Sequence, residues 1–329
     1  MTGRKVWMNG DFVHESEAKL SIYDSALMFG DMVFEMTRSF GGVQFKLDEH
    51  LDRLFYGLKI LRIDIPYSKG YLKDVCEEIV LVNKNEFNSN DEHRLLIDVS
   101  RGLLGIYQGV VNVKPGPNVV VADFPLKWTV SGMSELFKSG INAVITSQRA
   151  IPAQFMDPKI KNRSRMFYLN ANIEASLFEG NNNWALLLDS DGYIAEGTGD
   201  NFFIVKGEKL ITPEGRNILR GISREYVIGC LASELGLVAE EKNIEPYDVY
   251  TADEAFMTGT PFCMLPVTSL NSVPIGEGQI GKVFTQLLSQ WSKNVGVDIQ
   301  LQISQWDLEG QSKGSGPTPY SFKDKPRRN

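Results

Sequence analysis

The sequence is poor in the residues from which compact metal or disulfide sites are built. Its 329 residues include three cysteines, Cys76, Cys230 and Cys263, odd in number and far apart. That spacing excludes a disulfide framework and the CxxC pattern of zinc and redox sites. The three histidines, His14, His50 and His93, are equally scattered, so no HxxxH pair can gather a transition metal. No apolar run reaches the roughly 18 residues of a membrane span, and the opening MTGRKVWMNGDFV lacks the apolar centre of a signal peptide. Positive charge is in the minority: 34 Lys+Arg face 41 Asp+Glu, a net charge of −7, which argues against a polyanion-binding surface. The expectation is a cytoplasmic protein with reduced thiols, no bound metal, and neither nucleic acid nor membrane as partner.

What is present is ordinary globular material. With 43% hydrophobic and 23% charged residues, the chain can bury a sizeable core, and its length suggests two domains or one large α/β unit. The run KVWMNGDFV alternates apolar and polar residues around Asn9-Gly10, a hairpin signal. Residues 26–45 read as a loop or short helix, a strand, a Gly41-Gly42 turn and a strand edge. Leu51, Leu54, Phe55, Leu58 and Leu61 then recur at helical spacing, with Asp48 as the expected cap and Pro66 as the stop. A second helix near 68–84 and strands at HRLLIDVSRG and VVVADFP complete a first α/β unit, residues 1–124. Residues 125–133 read as a connector, because the periodicity lapses there. From 134 to 307, strands (NAVITSQR, NWALLLDS, YIAEG, NFFIVKG, KLITP, EAFMTGT) alternate with helices near 164–180, 223–236 and 281–296, which predicts a larger α/β or α+β domain. The Gly-, Ser- and Pro-rich stretch 308–329 reads as a mobile tail.

Four segments are candidates for chemistry, and each has an ordinary reading by itself. Lys159 and Lys161 lie in the basic stretch DPKIKNRSR before a periodic helix, where lysines are usually solvated; a reactive lysine needs desolvation or a cationic neighbour. Glu196 stands in GYIAEGTGDNFF between glycine turns, like the acid of a surface hairpin. LRGISR opens a helix with Ser223 as its expected N-cap, and helix N-termini hold phosphates as well as caps. FMTGT runs from a strand into a Gly-Thr turn that offers a hydroxyl and a backbone N–H.

Taken together, in this order and spacing, the IK, EGTGDNFF, GISR and MTGT segments resemble the class IV pyridoxal-phosphate aminotransferases, which include branched-chain amino acid, D-amino acid and (R)-amine transaminases and aminodeoxychorismate lyase. The resemblance extends from WMNGDFV to GQIGKVF. It implies a two-domain fold of type IV, α/β (α+β), with a small N-terminal domain, a larger C-terminal one, and the cofactor pyridoxal 5′-phosphate at the domain interface. It implies Lys161 as the Schiff-base lysine, with Lys159 the weaker rival, and Glu196 as the partner of the pyridine nitrogen. Tyr168 is expected at the cofactor's phenolic oxygen. Arg53, in HLDRL, is expected on the phosphate together with Ile222, Ser223, Gly259 and Thr260.

For the substrate the resemblance is uneven. The first-domain loop reads Met28-Phe29-Gly30-Asp31, where branched-chain enzymes place a Tyr before the Gly, and the strand at 93–102 lacks their Tyr-x-Arg-Pro pattern. Its Val-Ser-Arg-Gly end is closer to the D-amino acid and (R)-amine enzymes. Arg38, Arg94, Arg101 and Arg149 are candidates for pairing a substrate carboxylate, and Phe29, Phe34 and Trp128 for lining an apolar pocket. The expected activity is ping-pong transfer of an amino group between branched-chain L-amino acids and 2-oxoglutarate. D-amino acid or (R)-amine transamination and aminodeoxychorismate lyase chemistry are the alternatives. Amino acids, amines and 2-oxo acids are the expected small-molecule partners, and the resemblance implies a homodimer or a multiple of one.

Overall fold

Apolar residues at alternate positions of its strands, clearest in β7, give the sheet of the N-terminal half one face for helices. A computed structural model describes residues 3–107, 109, 115–180 and 182–309. The Asn9-Gly10 signal gives the expected hairpin of β1 (Lys5–Met8) and β2 (Asp11–His14), with φ of 54° and 109° at the two turn residues, the positive values that this tight connection requires. After α1 (Ser25–Phe29) come β3 (Met32–Met36) and the small hairpin of β4 (Ser39–Phe40) and β5 (Val43–Gln44). Then follow α2 (Leu47–Leu61), α3 (Lys69–Asn83), β6 (His93–Ser100) and β7 (Asn118–Pro125). The antiparallel sheet has the order β2-β1-β7-β6-β3. Val33, Leu95, Ile97, Val99, Val119 and Val121 form one core with Leu51, Leu54 and Leu58 of α2 and Leu72, Val75, Cys76 and Ile79 of α3. Both helices therefore cover the same face.

The ends of α2 differ from the sequence expectation. Lys46 (φ 55°) occupies the cap position, and Asp48 lies in the first turn, where a carboxylate still favours the helix dipole and also pairs with Lys73 at 2.6 Å. The helix stops at Arg62 (φ 54°), whose N–H donates to the carbonyls of Leu58 and Lys59, before Pro66 is reached.

Two compact units emerge: residues 1–126 with 159–165, and residues 127–158 with 166 onward. The second contains α4 (Lys127–Val130), α5 (Leu136–Ser139), β8 (Ile141–Arg149), α6 (Met166–Ala175), β9 (Asn183–Leu188), β10 (Ile194–Gly197), β11 (Asn201–Lys206) and β12 (Lys209–Thr212). A continuous helical segment, residues 222–234, comprises α7 (Ile222–Tyr226), one π-helical turn (Val227–Leu231) and α8 (Ala232–Glu234). Next come β13 (Val238–Glu241), α9 (Pro246–Tyr250), β14 (Glu254–Gly259), β15 (Cys263–Leu270), β16 (Val273–Pro274), α10 (Lys282–Val295) and α11 (Ile299–Leu308). Strands β10-β9-β8-β15-β14-β11 pair in that order, and β10 also pairs β11, so the six close into a ring; β12 and β13 extend it from β11.

The strands and helices expected from 134 to 296 are present; the short elements β13, α9 and β16 were not expected, nor were the longer β15 and α11. Pro266 lies within β15, opposite Phe256, and a proline normally demotes a run to an edge or a loop. In α11 the apolar residues Ile299, Leu301 and Ile303 alternate as in a strand, yet Ile299, Ile303 and Trp306 are the buried ones, a helical stripe. The tail expected from 308 lies outside the described residues from 310 onward. No helix among the described residues is long and apolar enough to cross a membrane.

The burial pattern separates the core-facing positions of the covering helices from their outer ones. Leu51→Ala, at a fully buried position, is expected to cost about 2–5 kcal/mol in urea unfolding. Leu81→Ala on α3, 71% exposed, should stay within about 0.5 kcal/mol.

Candidate active site

Glu196 anchors the polar cluster of the second unit. It sits near the end of β10 and is buried, with its carboxylate held by three donors: the Tyr168 hydroxyl at 2.7 Å on Oε1, and the Asn201 amide at 3.2 Å and the Leu219 backbone N–H at 2.9 Å on Oε2. Glu196 stands opposite Asn201 on β11, and Asn201 stands opposite Thr258 on β14. Directly paired residues share a face, so carboxylate, amide and hydroxyl form one row across three strands. The Thr258 hydroxyl is buried with no hydrogen-bond partner among the described residues. Tyr168 packs on the aliphatic cluster formed by Val144, Ala171, Ala195 and their neighbours. Its ring therefore serves as core while its hydroxyl serves Glu196.

The glycines of this region are required by close approach. A Cβ on Gly197 would strike the Asp200 carboxyl, and one on Gly221 would strike the Asn201 side chain. Asp200 is fully buried; burial first, and then the charge of Glu196, push its carboxyl well above the ordinary aspartate range. Gly221, with extended backbone, is the N-cap of the 222–234 segment. Ser223, expected as the cap, is instead its second helical residue, because Gly221 is the residue that can pass against Asn201. The first intrahelical bond runs from the Glu225 N–H to the Gly221 carbonyl at 2.9 Å, so the amides of Ile222, Ser223 and Arg224 point out of the helix end. The Asn201 amide ties this helix start to the row, donating to the Leu219 carbonyl at 2.9 Å. Gly259 and Thr260 follow Thr258, and a Cβ on Gly259 would meet the Phe262 ring.

Lys161 belongs to the first unit. Its carbonyl accepts from the Phe34 N–H at 2.9 Å, and its neighbour Ile160 is buried in the core beneath α2. This turn-rich segment is therefore tied to β3 by one backbone hydrogen bond, with Ile160 buried and the Lys161 ammonium beside the Phe34 ring. The Lys161 ammonium lies 5.1 Å from the centre of the Phe34 ring, with the guanidinium groups of Arg163 at 3.7 Å and Arg165 at 5.0 Å. Lys159 is half-buried.

Arg53 is clamped by a carboxylate that the sequence reading missed. Glu35, fully buried, accepts from Arg53 Nε at 2.6 Å and Nη2 at 2.8 Å, and from His50 Nδ1 at 2.8 Å. Burial alone would raise the Glu35 carboxyl, but the charge of Arg53 and the hydrogen bonds from His50 and Arg53 hold it far below the usual range. His50 is pulled the other way: burial lowers its pKa more than Glu35 raises it. A neutral imidazole therefore donates to an ionised carboxylate. The signal for this triad was present as His50 and Arg53 one turn apart on α2, three residues being the spacing at which helix side chains become neighbours.

The candidate substrate residues are placed variously. Phe34 is buried and Phe29 is exposed; Trp128, on α4, is half exposed. Arg38 is buried, donating to the Ser39 carbonyl at 3.3 Å with its guanidinium 3.9 Å from the Phe40 ring centre. Arg94 is buried with Nη2 3.4 Å from Met36 Sδ. Arg101 is bidentate to Asp31 at 2.5 and 3.1 Å and also donates to the Leu61 and Arg62 carbonyls. Arg149 Nη1 donates to the carbonyls of Thr146, Ser147 and Gln148.

Residues 32–270 match the family model of amino-transferase class IV. The chain belongs to the class IV aminotransferases. Among other members of the family, a protein of Methanocaldococcus jannaschii that bears the branched-chain-amino-acid aminotransferase name provisionally is 38% identical over 285 residues, 86% of this chain and 93% of that one. The branched-chain-amino-acid aminotransferase of Escherichia coli strain K12 is 33% identical over 299 residues, 86% of this chain and 91% of that one. The crystal structure of the branched-chain amino acid aminotransferase of Thermoproteus uzoniensis with norvaline superposes with a TM-score of 0.74 at 28% identity, covering 93% of this chain and 97% of that one. The expected membership in this class IV family, and its α/β fold, are thus borne out.

The Glu35–His50–Arg53 triad makes a pH prediction. Both Glu35 and His50 bind their protons less readily in the folded protein, so acid favours the unfolded chain. For His50 the loss should begin as pH falls below 6.5, the ordinary value from which it is lowered, at up to about 1.4 kcal/mol per pH unit. His50→Asn keeps an N–H for Glu35 but cannot titrate. Urea unfolding between pH 6.5 and about 5 should show a flatter slope in that variant; an unchanged slope would mean that His50 is already charged in the fold.

Proposed function

We propose that this chain is a pyridoxal 5′-phosphate-dependent aminotransferase that moves an amino group between branched-chain L-amino acids and 2-oxoglutarate by a ping-pong mechanism. The observation that carries the reading is the Glu196 row: a buried carboxylate oriented by three donors, on the same sheet face as a buried hydroxyl, at the open end of a helix. Those residues fit the cofactor. The Gly221 approach leaves the helix amides bare for a phosphate, the buried Thr258 hydroxyl has no protein partner among the described residues, and Glu196 suits a ring nitrogen.

When bound, the cofactor supplies a carbonyl carbon for the amino group and a ring that accepts the electrons released at the substrate Cα. Lys161 would hold the cofactor covalently at rest and, once displaced by the incoming amine, carry the proton from Cα to C4′. Glu196 would keep the ring nitrogen protonated. Tyr168 would turn its single hydroxyl hydrogen from Glu196 to the phenolic oxygen, leaving the Glu196 carboxylate for the ring nitrogen. Ile222, Ser223, Gly259 and Thr260 would bind the phosphate by amide and hydroxyl. Arg53 would bind it with a guanidinium whose orientation Glu35 sets.

Arg94 would pair the substrate carboxylate, since it is buried and shares an alternating sheet face with Asp98, the residue opposite Phe34. Arg38 is a second such candidate, while the backbone carbonyls held by Arg101 and Arg149 favour scaffold roles for those two. Phe34, with Phe29 and Trp128, would supply the apolar lining. Cytoplasmic location is supported by three free thiols, Cys76 and Cys263 among them buried.

The visible spectrum of the purified protein tests the reading. The cofactor band should bleach with L-leucine and return with 2-oxoglutarate, and Lys161→Ala should lower turnover by at least about a thousandfold, as loss of a covalent catalyst does. Bleaching by D-alanine or (R)-1-phenylethylamine alone would move the protein to the D-amino acid or (R)-amine branch. Pyruvate release from aminodeoxychorismate would make it a lyase.

Homodimer assembly is supported by an exposed apolar surface on the first unit. Ile22, Leu27, Phe29 and Ile106 are between 62% and 78% exposed, and the segments carrying them adjoin through the Asp24–Leu103 bridge and the Tyr23–Tyr107 ring contact. Monomers rarely leave such a patch to water. Light scattering should give twice the chain mass, and Leu27→Asp should shift it towards the monomer.

A further inference from the structure

The sheet face of the first unit that α2 and α3 leave uncovered carries an arginine for which the proposed chemistry has no use. Alternation places Phe34 and Met36 of β3 and Arg94, Leu96 and Asp98 of β6 on this face, while Val33, Leu95, Ile97 and Val99 point to the helices. Phe34 stands directly opposite Asp98. Two residues after Lys161, Arg163 lies across that pair. Its guanidinium is 3.7 Å from the centre of the Phe34 ring, and its Nη2 is 3.2 Å from Asp98 Oδ1. The same ring lies 5.1 Å from the Lys161 ammonium, so Arg163 is within a side chain's reach of whatever Lys161 acts on.

The arginines near the Phe34 ring and on this face are held differently: Arg165, 5.0 Å from the ring centre, is tied back by its Nε to the Asn162 carbonyl at 2.8 Å. Arg94 is buried, whereas the Arg163–Asp98 pair is part exposed, with side-chain exposures of 39% and 24%, and is joined by a single contact. A pair of that kind contributes little and exchanges partners readily. Burial raises the Asp98 carboxyl, and Arg163 only partly offsets it, so Asp98 is a weak anchor for a cation. The guanidinium of Arg163 rests on the aromatic face of Phe34 and meets Asp98 only through Nη2, so the charged group can pivot on the ring when it leaves that carboxylate. A transaminase that couples an apolar amino acid to 2-oxoglutarate must accept an uncharged side chain in one half-reaction and a carboxylate in the other. A loosely latched arginine beside the reacting lysine meets that requirement.

Resting on the function proposed above, we infer that Arg163 sets side-chain specificity: it stays on Asp98 when the substrate side chain is apolar and leaves Asp98 to pair a side-chain carboxylate. The step is an exchange of ion pairs, and no covalent bond changes.

Two variants of the holoenzyme test this in opposite directions. Arg163→Met leaves an unbranched apolar side chain beside Phe34 and removes the charge; the ratio of kcat/KM for L-glutamate to that for L-leucine should fall about 30-fold, as loss of a charge-assisted pair does. Asp98→Asn releases the latch without touching the arm, and the same ratio should rise a few-fold. Calorimetric titration with glutarate and with 4-methylpentanoate gives a readout independent of turnover: Arg163→Met should weaken glutarate selectively, and Asp98→Asn should strengthen it. Equal changes for both substrates and both acids would overturn the inference and leave the transaminase reading standing. Wild-type protein that converts neither amino acid would overturn both.

Discussion

The hydrogen bond from the Phe34 N–H to the Lys161 carbonyl, with Ile160 buried behind it, is the constraint on which the placement of Lys161 depends. Residues 159–165 are flanked in sequence by the second unit, yet they pack as part of the first. Pairing with β3 satisfies backbone that would otherwise be exposed, and the burial of Ile160 among Val33, Leu51 and Leu54 pins the register. With Ile160 buried and the Lys161 carbonyl bonded to β3, the turn closed by the Asn162 side chain on the Ser164 N–H and the Ile160 carbonyl leaves Lys161 and Arg163 at the ring of Phe34. The apolar neighbour therefore decides the lysine's position.

A second constraint is the handling of buried charge. Glu35 is carried on the core side of β3, where a lone carboxylate would be severely penalised, and it is stabilised by Arg53 and a neutral His50 from α2. Glu196 is handled with neutral donors instead, an amide, a phenol and a backbone N–H. The difference has a consequence for each site. Arg53 is fixed by its counter-charge, whereas the Glu196 carboxylate is oriented by hydrogen bonds from Tyr168, Asn201 and Leu219. Removing one partner of a buried ion pair typically costs about 3–5 kcal/mol, so the first arrangement couples the orientation of Arg53 to the stability of the unit.

Much of this was legible in the sequence, and the misses have physical reasons. The hairpin at Asn9-Gly10, the stripe of α2 and the strands around Glu196 each announce themselves by local period or turn chemistry. β15 did not, because its proline sits where only the neighbouring strands justify a ladder; nor did the membership of residues 159–165 in the first unit, which depends on a pairing more than a hundred residues away in the chain. Lys161 and Glu196 stood out as candidates because a lysine before a helix and an acid between glycines resemble one family's pattern. Glu35, Asn201 and Thr258 were not found, since their significance lies in which residue stands opposite which. Ser223 was misplaced as a cap because the hydroxyl signal is local, while the reason for Gly221 is the side chain of Asn201, twenty residues earlier.

The row Glu196–Asn201–Thr258 also explains why the closed ring of strands suits this chemistry. Three antiparallel strands fix three polar side chains on one face at strand spacing, and the Asn201 amide donates both to Glu196 and to the carbonyl just before the helix start. One side chain thus sets the distance between a carboxylate and a set of helix amides. Because both its contacts come from a single planar amide, neither can drift without the other. A ligand that engages the carboxylate at one end and the amides at the other must match that fixed span, and selection by length follows from the fold before any substrate residue is considered.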